Sequence, residues 1–442
     1  MFTVNKWEWA ERLAAILLAA VLAAVPAAPL SAQADQTAAA SDQAADPFDT
    51  AAFDTAAGLQ PAVGATSAAG AAVGNNEART EYLVGGAVLV SASAYIAPGF
   101  DGYAASSHAA GKLFGKVSVP NYGTLYMSYN LSQALFEGIS GKVIPGAAFV
   151  TAPPNDLTTP TFALGELYYG LDVGKVLFAR VGKQLLAWGP SQVWTPVDFV
   201  NRQRADFFSA VDLRQGTPGL KLHLPMGKAN AFLFADFSSL ATNGVVRDPV
   251  DVTKLAARVD ATLGGFEFGF TGFAGSSVQA KAGLDFSGHF LGSAAYGEFA
   301  LAPAYSNYPA SYLASFGLSR ALGDLKRWTV SGELFYNSEG ADHTGDAATM
   351  AALSPLYIGR VYGYAAVSAK ELLSPNITTR IFALGNFSDL SWSVSLVNDF
   401  SLPRAVPVTL TLAWAGGGTG KEFTRVGGDN SLSISLQTRI EF

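Results

Sequence analysis

The densest run of chemically capable side chains lies between residues 180 and 214. Arg180, Lys183 and Gln184 lead into Trp188-Gly189-Pro190, Trp194, Asp198, Arg202, Arg204, Asp206, Asp212 and Arg214. Cations and carboxylates interleaved with Pro and Trp suit the holding of a polar solute, by charge-assisted hydrogen bonds and by stacking of a ring on an indole. A segment this rich in ordering residues is expected to fold inward as a constriction, with Asp198, Arg202, Arg204, Asp206, Asp212 and Arg214 as its polar groups. The other placement is an external loop with Trp188 and Trp194 at a membrane interface. Bond-making chemistry has little to work with elsewhere. The four histidines, His108, His223, His289 and His343, lack ligand spacing, so no metal site is expected. There is no cysteine, which removes thiol nucleophiles, disulfides and thiolate metal sites together. No nucleophile elbow, phosphate loop or dinucleotide fingerprint is present, so no cofactor and no enzymatic activity are expected. Asp342, His343 and Asp346 share one segment; they carry the weaker reading of a hydrolase.

A second set of charged residues is spread along the chain with a period of two. Lys254, Arg258 and Asp260 alternate with Leu255, Ala257 and Val259, and Glu267, Gly269 and Thr271 alternate with Phe266, Phe268 and Phe270. Lys221 and His223 sit between Leu220, Leu222 and Leu224, and Ser391, Ser393 and Ser395 between Trp392, Val394 and Leu396. Successive side chains of a strand point to opposite faces, so each segment has one polar and one apolar side. Extended along the chain, this parity places Arg180, Lys221, Lys254, Arg258, Lys281, Arg360, Lys370, Arg380 and Arg439 on the polar side. Glu166, Asp236, Asp260, Glu267, Asp285, Glu298 and Glu333 join them there as acids. Two arrangements are open: a cross-paired wall, or opposed basic and acidic arcs, with Arg360 and Arg380 on adjacent strands in the basic one.

The scaffold follows from composition. Only 14% of the 442 residues are charged, 50% are hydrophobic and the net charge is −7; soluble domains carry roughly 25% charge. The acidic balance argues against a nucleic-acid partner. Segments of strand length end in turn residues, and short connectors such as Gly264-Gly265 and Leu291-Gly292 alternate with longer ones such as 96–107, 135–160 and 188–216. That asymmetry is the pattern of a transmembrane β-barrel with periplasmic turns and external loops. A sheet in lipid cannot leave backbone groups unpaired, so it must close. The fold class expected is all-β: a closed antiparallel barrel of about 18 strands, or 16, over 80–442, with its polar faces lining a lumen. Ahead of it, Lys6 and Arg12, the apolar run 13–25 and Ala32-Gln33-Ala34 read as an export signal over 1–34. The Ala-rich segment 35–79 reads as a flexible leader.

The last segment alternates Ser431, Ser433, Ser435, Gln437 and Arg439 with Leu432, Ile434, Leu436 and Ile440, and ends at Phe442. This resembles the terminal aromatic signature of bacterial outer-membrane proteins, which implies Phe442 as the signal read by the barrel-assembly machinery. The stretch Arg180-Val181-Gly182-Lys183-Gln184, then Trp188-Gly189, then Pro196 and Asp198, resembles porin-like outer-membrane barrels, including the capsule-assembly surface barrels. The fatty-acid transporter family, of similar size, implies 14 strands and an N-terminal hatch, which the Ala-rich leader matches poorly. The resemblance implies an outer-membrane location with lipid around the barrel and nothing about the solute; small polar solutes are expected from the inward polarity and strand number. The expected function is passive passage through a charged lumen, against a polysaccharide-holding surface barrel, a hydrophobic-solute transporter or an outer-membrane hydrolase. The solute and the oligomeric state stay open.

Overall fold

The computed structural model describes residues 80–98, 103–140, 160–174, 176–201, 212–242, 245–248, 252–275, 278–306, 308–323, 327–341, 359–372, 374–401, 406–424 and 429–442. The export segment and leader, Arg202, Arg204 and Asp206, and the Asp342-His343-Asp346 group lie outside them.

The strands, in chain order, are β1 (Glu81–Ile96), β2 (Tyr103–Val119), β3 (Gly123–Ser140), β4 (Thr161–Val173), β5 (Leu177–Gln184), β6 (Thr217–Pro225) and β7 (Ala229–Asp236). A small hairpin follows, β8 (Ala241–Thr242) with β9 (Val245–Val246). Then come β10 (Lys254–Leu263), β11 (Phe266–Gly275), β12 (Val278–Phe290), β13 (Ser293–Ala302), β14 (Ser311–Leu322) and β15 (Trp328–Asn337). The last five are β16 (Val361–Lys370), β17 (Ile377–Asn386), β18 (Ser391–Phe400), β19 (Val408–Gly416) and β20 (Ser431–Glu441). Apart from the hairpin, they form one antiparallel 18-stranded sheet in which neighbours in sequence are neighbours in space. β7 passes directly to β10, and β1 pairs with β20 from Ala87↔Glu441 to Ile96↔Leu432. The sheet is therefore a closed barrel with no free edge, which lipid requires.

The period-two pattern sorts side chains as expected. Phe270 is 54% exposed on the outer face, while its neighbour Thr271 is 0% exposed on the inner face. Phe268, Leu284, Phe299 and Phe316 are exposed outside, and Arg258, Asp260 and Asp285 are buried inside. The tight turns use backbone that favours the connection. Gly264 and Gly265 have φ of 58° and 85°, and Leu291 and Gly292 have 50° and 76°; two successive positive φ values suit two-residue hairpins. One connector is shorter than its sequence indicates. β2 starts at Tyr103 and pairs at once with Ile96, so only 97–102 separate β1 from β2. The Ala- and Ser-rich start of β2 carries little hydrophobic contrast, which hid it inside the expected 96–107 loop.

At the seam, Phe442 N–H donates to Gly86 O at 3.1 Å and Gly86 N–H to Phe442 O at 3.0 Å. A Cβ on Gly86 would lie 2.9 Å from the Phe442 ring, so the terminal ring rests on a residue without a side chain. Deleting Phe442 removes both bonds and this contact. The folded fraction, read from heat-dependent gel mobility after refolding, is expected to fall; an unchanged fraction would show that the ring is dispensable for closure.

Candidate functional site

The chain between β5 and β6 does not run along the rim. It enters the barrel, and its sequence explains how. Gly189 has φ of 104°, and a Cβ there would sit 2.3 Å from Glu298 Oε1; only glycine lets the backbone come this close to that carboxylate. Pro190 then prevents regular pairing. The following N–H groups are buried without a ladder partner and need acceptors. Two carboxylates of the inner wall supply them. Glu298, on β13, accepts from Ser191 N–H at 2.8 Å and Val197 N–H at 3.0 Å. Glu333, on β15, accepts from Gln192 N–H at 3.1 Å, Val193 N–H at 3.2 Å and Trp194 N–H at 2.8 Å, and from the Tyr296 hydroxyl at 3.1 Å. Ser191 Oγ lies 2.7 Å from Ser315 Oγ on β14.

Apolar packing completes the attachment. Trp194 stacks on Phe335 at 5.5 Å with 5° between planes and leans on Tyr362 at 6.1 Å. Leu186, Trp188 and Phe199 join Phe232, Phe234 and Phe273 in a second cluster. Both ends of the segment are tied as well. Leu185 N–H donates to Glu166 Oε1 at 2.8 Å, and Asn130 Nδ2 donates to Leu213 O at 2.7 Å. Asp198 accepts from Asn201 N–H at 3.2 Å, which rounds the turn inside the loop. On the returning limb, burial pushes the Asp212 carboxyl up. The hydrogen bonds and charge of Arg214 outweigh this and hold it below the usual carboxylate range.

Loop and wall together place the sequence-derived candidates. Glu166, Glu298 and Glu333 point inward, but they hold the loop backbone instead of lining open lumen. Trp188 and Trp194 are buried, Trp194 to 1% exposure. They neither form an interfacial girdle nor present a face to a sugar, because the barrel wall already occupies their faces. The remaining inner charges are largely matched. Arg258 forms two bonds to Asp285 at 2.5 and 2.9 Å, one to Thr271 at 3.1 Å, and approaches Asp260 at 3.8 Å. Lys254 meets Asp236 at 3.5 Å, Lys112 meets Glu166 at 3.6 Å, Arg380 meets Asp399 at 3.7 Å, and Arg439 meets Glu441. Arg180 lies 4.2 Å over the Tyr168 ring, Lys221 5.2 Å over Phe232 and Lys281 5.8 Å over Phe199. Glu267 and Lys370 sit at strand ends and are exposed.

Arg360 departs from expectation. It precedes β16 and donates through Nε to Gly340 O at 2.8 Å. Ser368 is the residue paired with Arg380, so Arg360 lies eight residues up the neighbouring strand line, roughly 27 Å at strand rise. The two arginines share no arc. Several site residues escaped the sequence reading: Asn130, Tyr296 and Ser315 on the wall, and Glu422, which accepts from Asn386 Nδ2 at 2.8 Å and the Tyr362 hydroxyl at 2.5 Å. Tyr296 and Ser315 had a usable signal, their inward parity beside Glu298; Glu422 lies in a loop and had none.

Solved structures of the same shape are known. The chain overlays OpdL of Pseudomonas aeruginosa with a TM-score of 0.53 at 9% identity, over 82% of this chain and 99% of that one. It overlays the outer membrane protein OpdK of Pseudomonas aeruginosa with a TM-score of 0.50 at 10% identity, over 81% and 99%. The fold is that of a porin-type outer-membrane barrel. No family model matches the chain, and no curated protein does. In this porin-type barrel the loop is clipped: five loop N–H groups are captured by two wall carboxylates on strands more than 100 residues away.

Proposed function

We propose that this porin-type barrel sits in the bacterial outer membrane and passes small polar solutes passively, with the loop residues 185–201 and 212–216 at its constriction. The observation that carries the reading is the loop's attachment to the inner wall from β3 round to β17, which among the described residues leaves β18, β19, β20, β1 and β2 without contact to it, while charges low on the wall stay wet. Glu298 and Glu333 are 4% and 2% exposed beneath the loop. The inward Arg380 and Asp399 side chains keep 39% and 36% of their surface. A barrel of 18 strands is wide enough for an aqueous channel, and a loop held against the wall from β3 to β17 narrows it. The apolar outer face supports lipid as the surrounding medium, and the reading is of a conduit, not an enzyme.

Two alternatives lose support. A surface barrel holding polysaccharide on Trp188 and Trp194 needs those rings free, and they are packed against the wall. A transporter for hydrophobic solutes needs an apolar path, and the inner face carries ion pairs and hydroxyls. Reconstitution into a planar bilayer is expected to give stepwise ion conductance, and liposomes are expected to swell in small polar solutes. A barrel that passes neither ions nor solutes would overturn the channel reading.

A further inference from the structure

The loop covers only part of the wall. Its hydrogen bonds and apolar contacts fall on strands from β3 to β17. Across from it lie β18, β19, β20, β1 and β2, contiguous through the barrel seam. The inner face of these five strands sets hydroxyls among Leu89, Tyr95, His108 and Val397, and at one level the hydroxyls adjoin one another. Ser93 pairs with both Ser106 and Ser435, and Thr411 also pairs with Ser435, so a belt of hydroxyls runs across four strands at one level. Ser393 on β18 and Ser433 and Gln437 on β20 extend it. Ser93 Oγ donates to Ser435 Oγ at 3.1 Å, which fixes both as facing the same side. Ser93, Ser106, Ser393, Ser433, Ser435 and Gln437 are half-buried, where the loop anchors are buried. Charge enters this arc low on the wall, in the pairs Arg380–Asp399 and Arg439–Glu441 and at Lys112 and Lys116, and at its upper end, where Asp389 accepts from Ser391 Oγ and Glu422 N–H. A further hydroxyl of the same face, Ser395 Oγ, is fully buried and has no hydrogen-bond partner.

We propose that the open path is this hydroxyl arc, and that it favours neutral polyhydroxylated solutes, sugar- or polyol-like, over ions of equal size. The inference rests on the channel reading above. A solute entering a narrow path exchanges water for wall groups, and what lines the path decides the barrier. A serine or threonine hydroxyl both donates and accepts, so it can replace water around another hydroxyl. An ion at the level of the hydroxyl belt loses hydration and meets no counter-charge on Ser93, Ser106, Thr411 or Ser435. The wall cations already face carboxylates or, at Arg180, Lys221 and Lys281, aromatic rings, and two of the wall carboxylates are bound to the loop. The side of the barrel rich in charge is the side that the loop covers. The arc is therefore a specificity-determining surface in which the hydroxyls are read collectively.

The test is swelling of liposomes holding the full-length protein, in a neutral pentose or hexose and in a sugar acid and an amino sugar of matching size. The neutral sugars are expected to enter faster than either ion. A quadruple variant, S93A/S393A/S433A/S435A, is expected to lose about fivefold in neutral-sugar entry, the factor that one net hydrogen bond produces in a rate. Its ion conductance is expected to change little. These substitutions remove one oxygen each from a face without packing demands, and heat-dependent gel mobility checks that the variant folds. If it does not, S93A/S435A alone carries the same comparison with a smaller loss. Entry of sugar acids or amino sugars as fast as neutral sugars would overturn the proposal, and so would unchanged sugar entry in a folded variant, while the channel reading survived. Absence of any solute entry or conductance would overturn both.

Discussion

Replacing Glu298 and Glu333 together by glutamine is expected to raise single-channel conductance about two- to threefold and to make the open current noisier, the signature of a loop that now samples two positions. The cause is the number of acceptors. Glu298 takes two loop N–H groups and Glu333 takes three more besides the Tyr296 hydroxyl. A carboxylate presents two acceptor oxygens; the amide of glutamine presents one and turns an NH2 toward groups that are themselves donors. Hydrogen bonds to a charged partner contribute roughly 1.5–3 kcal/mol each, and a buried donor left without an acceptor costs about 1–3 kcal/mol. Even a partial loss at both sites moves a loop equilibrium by orders of magnitude, since about 1.4 kcal/mol is a factor of ten. The stacking of Trp194 on Phe335 and the packing of Trp188 and Phe199 remain, so the loop is expected to fluctuate between seated and released positions instead of leaving the wall for good. The strand ladder is untouched, and normal gel mobility should confirm a folded barrel. Unchanged conductance in a folded double variant would show that the anchors do not hold the constriction.

The barrel was legible in the sequence because its determinant is local. Residues 254–263 and 431–441 show one apolar and one polar face without reference to any other part of the chain. Gly264-Gly265 and Leu291-Gly292 mark turns by their own conformational needs. Closure then follows from lipid, not from a motif. The loop was legible as a chemically dense segment, and its inward fold was one of two placements considered. Its anchors were not legible. Ser191 and Glu298 are 107 residues apart, and Gln192 and Glu333 are 141 apart; such pairings depend on the register of five and seven intervening barrel strands. The same limit explains Arg360. Alternation assigned it correctly to a polar position, but β16 begins one residue later, and strand ends are set by long-range pairing. Trp188 and Trp194 misled for another reason: an indole reads equally well as a membrane anchor, a sugar platform or a core residue, and only the presence of Phe335 and Tyr362 across the lumen decides.

Asp285→Ala alone is expected to destabilise the barrel by about 3–5 kcal/mol, whereas Arg258→Met with Asp260→Asn and Asp285→Leu should cost far less. The pair is buried, with side chains 8% and 4% exposed, and Arg258 forms two hydrogen bonds to Asp285 and one to Thr271. The single change strands a guanidinium against Asp260 alone at 3.8 Å. The triple change removes the guanidinium and both carboxylates that face it and fills the space with less polar volume. Gly269 makes the site demanding. A Cβ there would lie 2.3 Å from Arg258 Nη2 and 2.5 Å from Asp285 Oδ1, so Gly269→Ala should push the two groups apart and follow the single variant. The exposed pair Arg327–Glu371, 49% and 44% exposed at 3.0 Å, supplies the contrast. Glu371→Ala should shift stability by less than about 1 kcal/mol, because solvent screens that pair. Denaturant titration of barrels refolded into lipid, followed by tryptophan emission, separates these cases. If the triple variant proves as unstable as Asp285→Ala, the cost lies in packing around Gly269 and not in an uncompensated charge, and the ion-pair account of this part of the wall would be wrong.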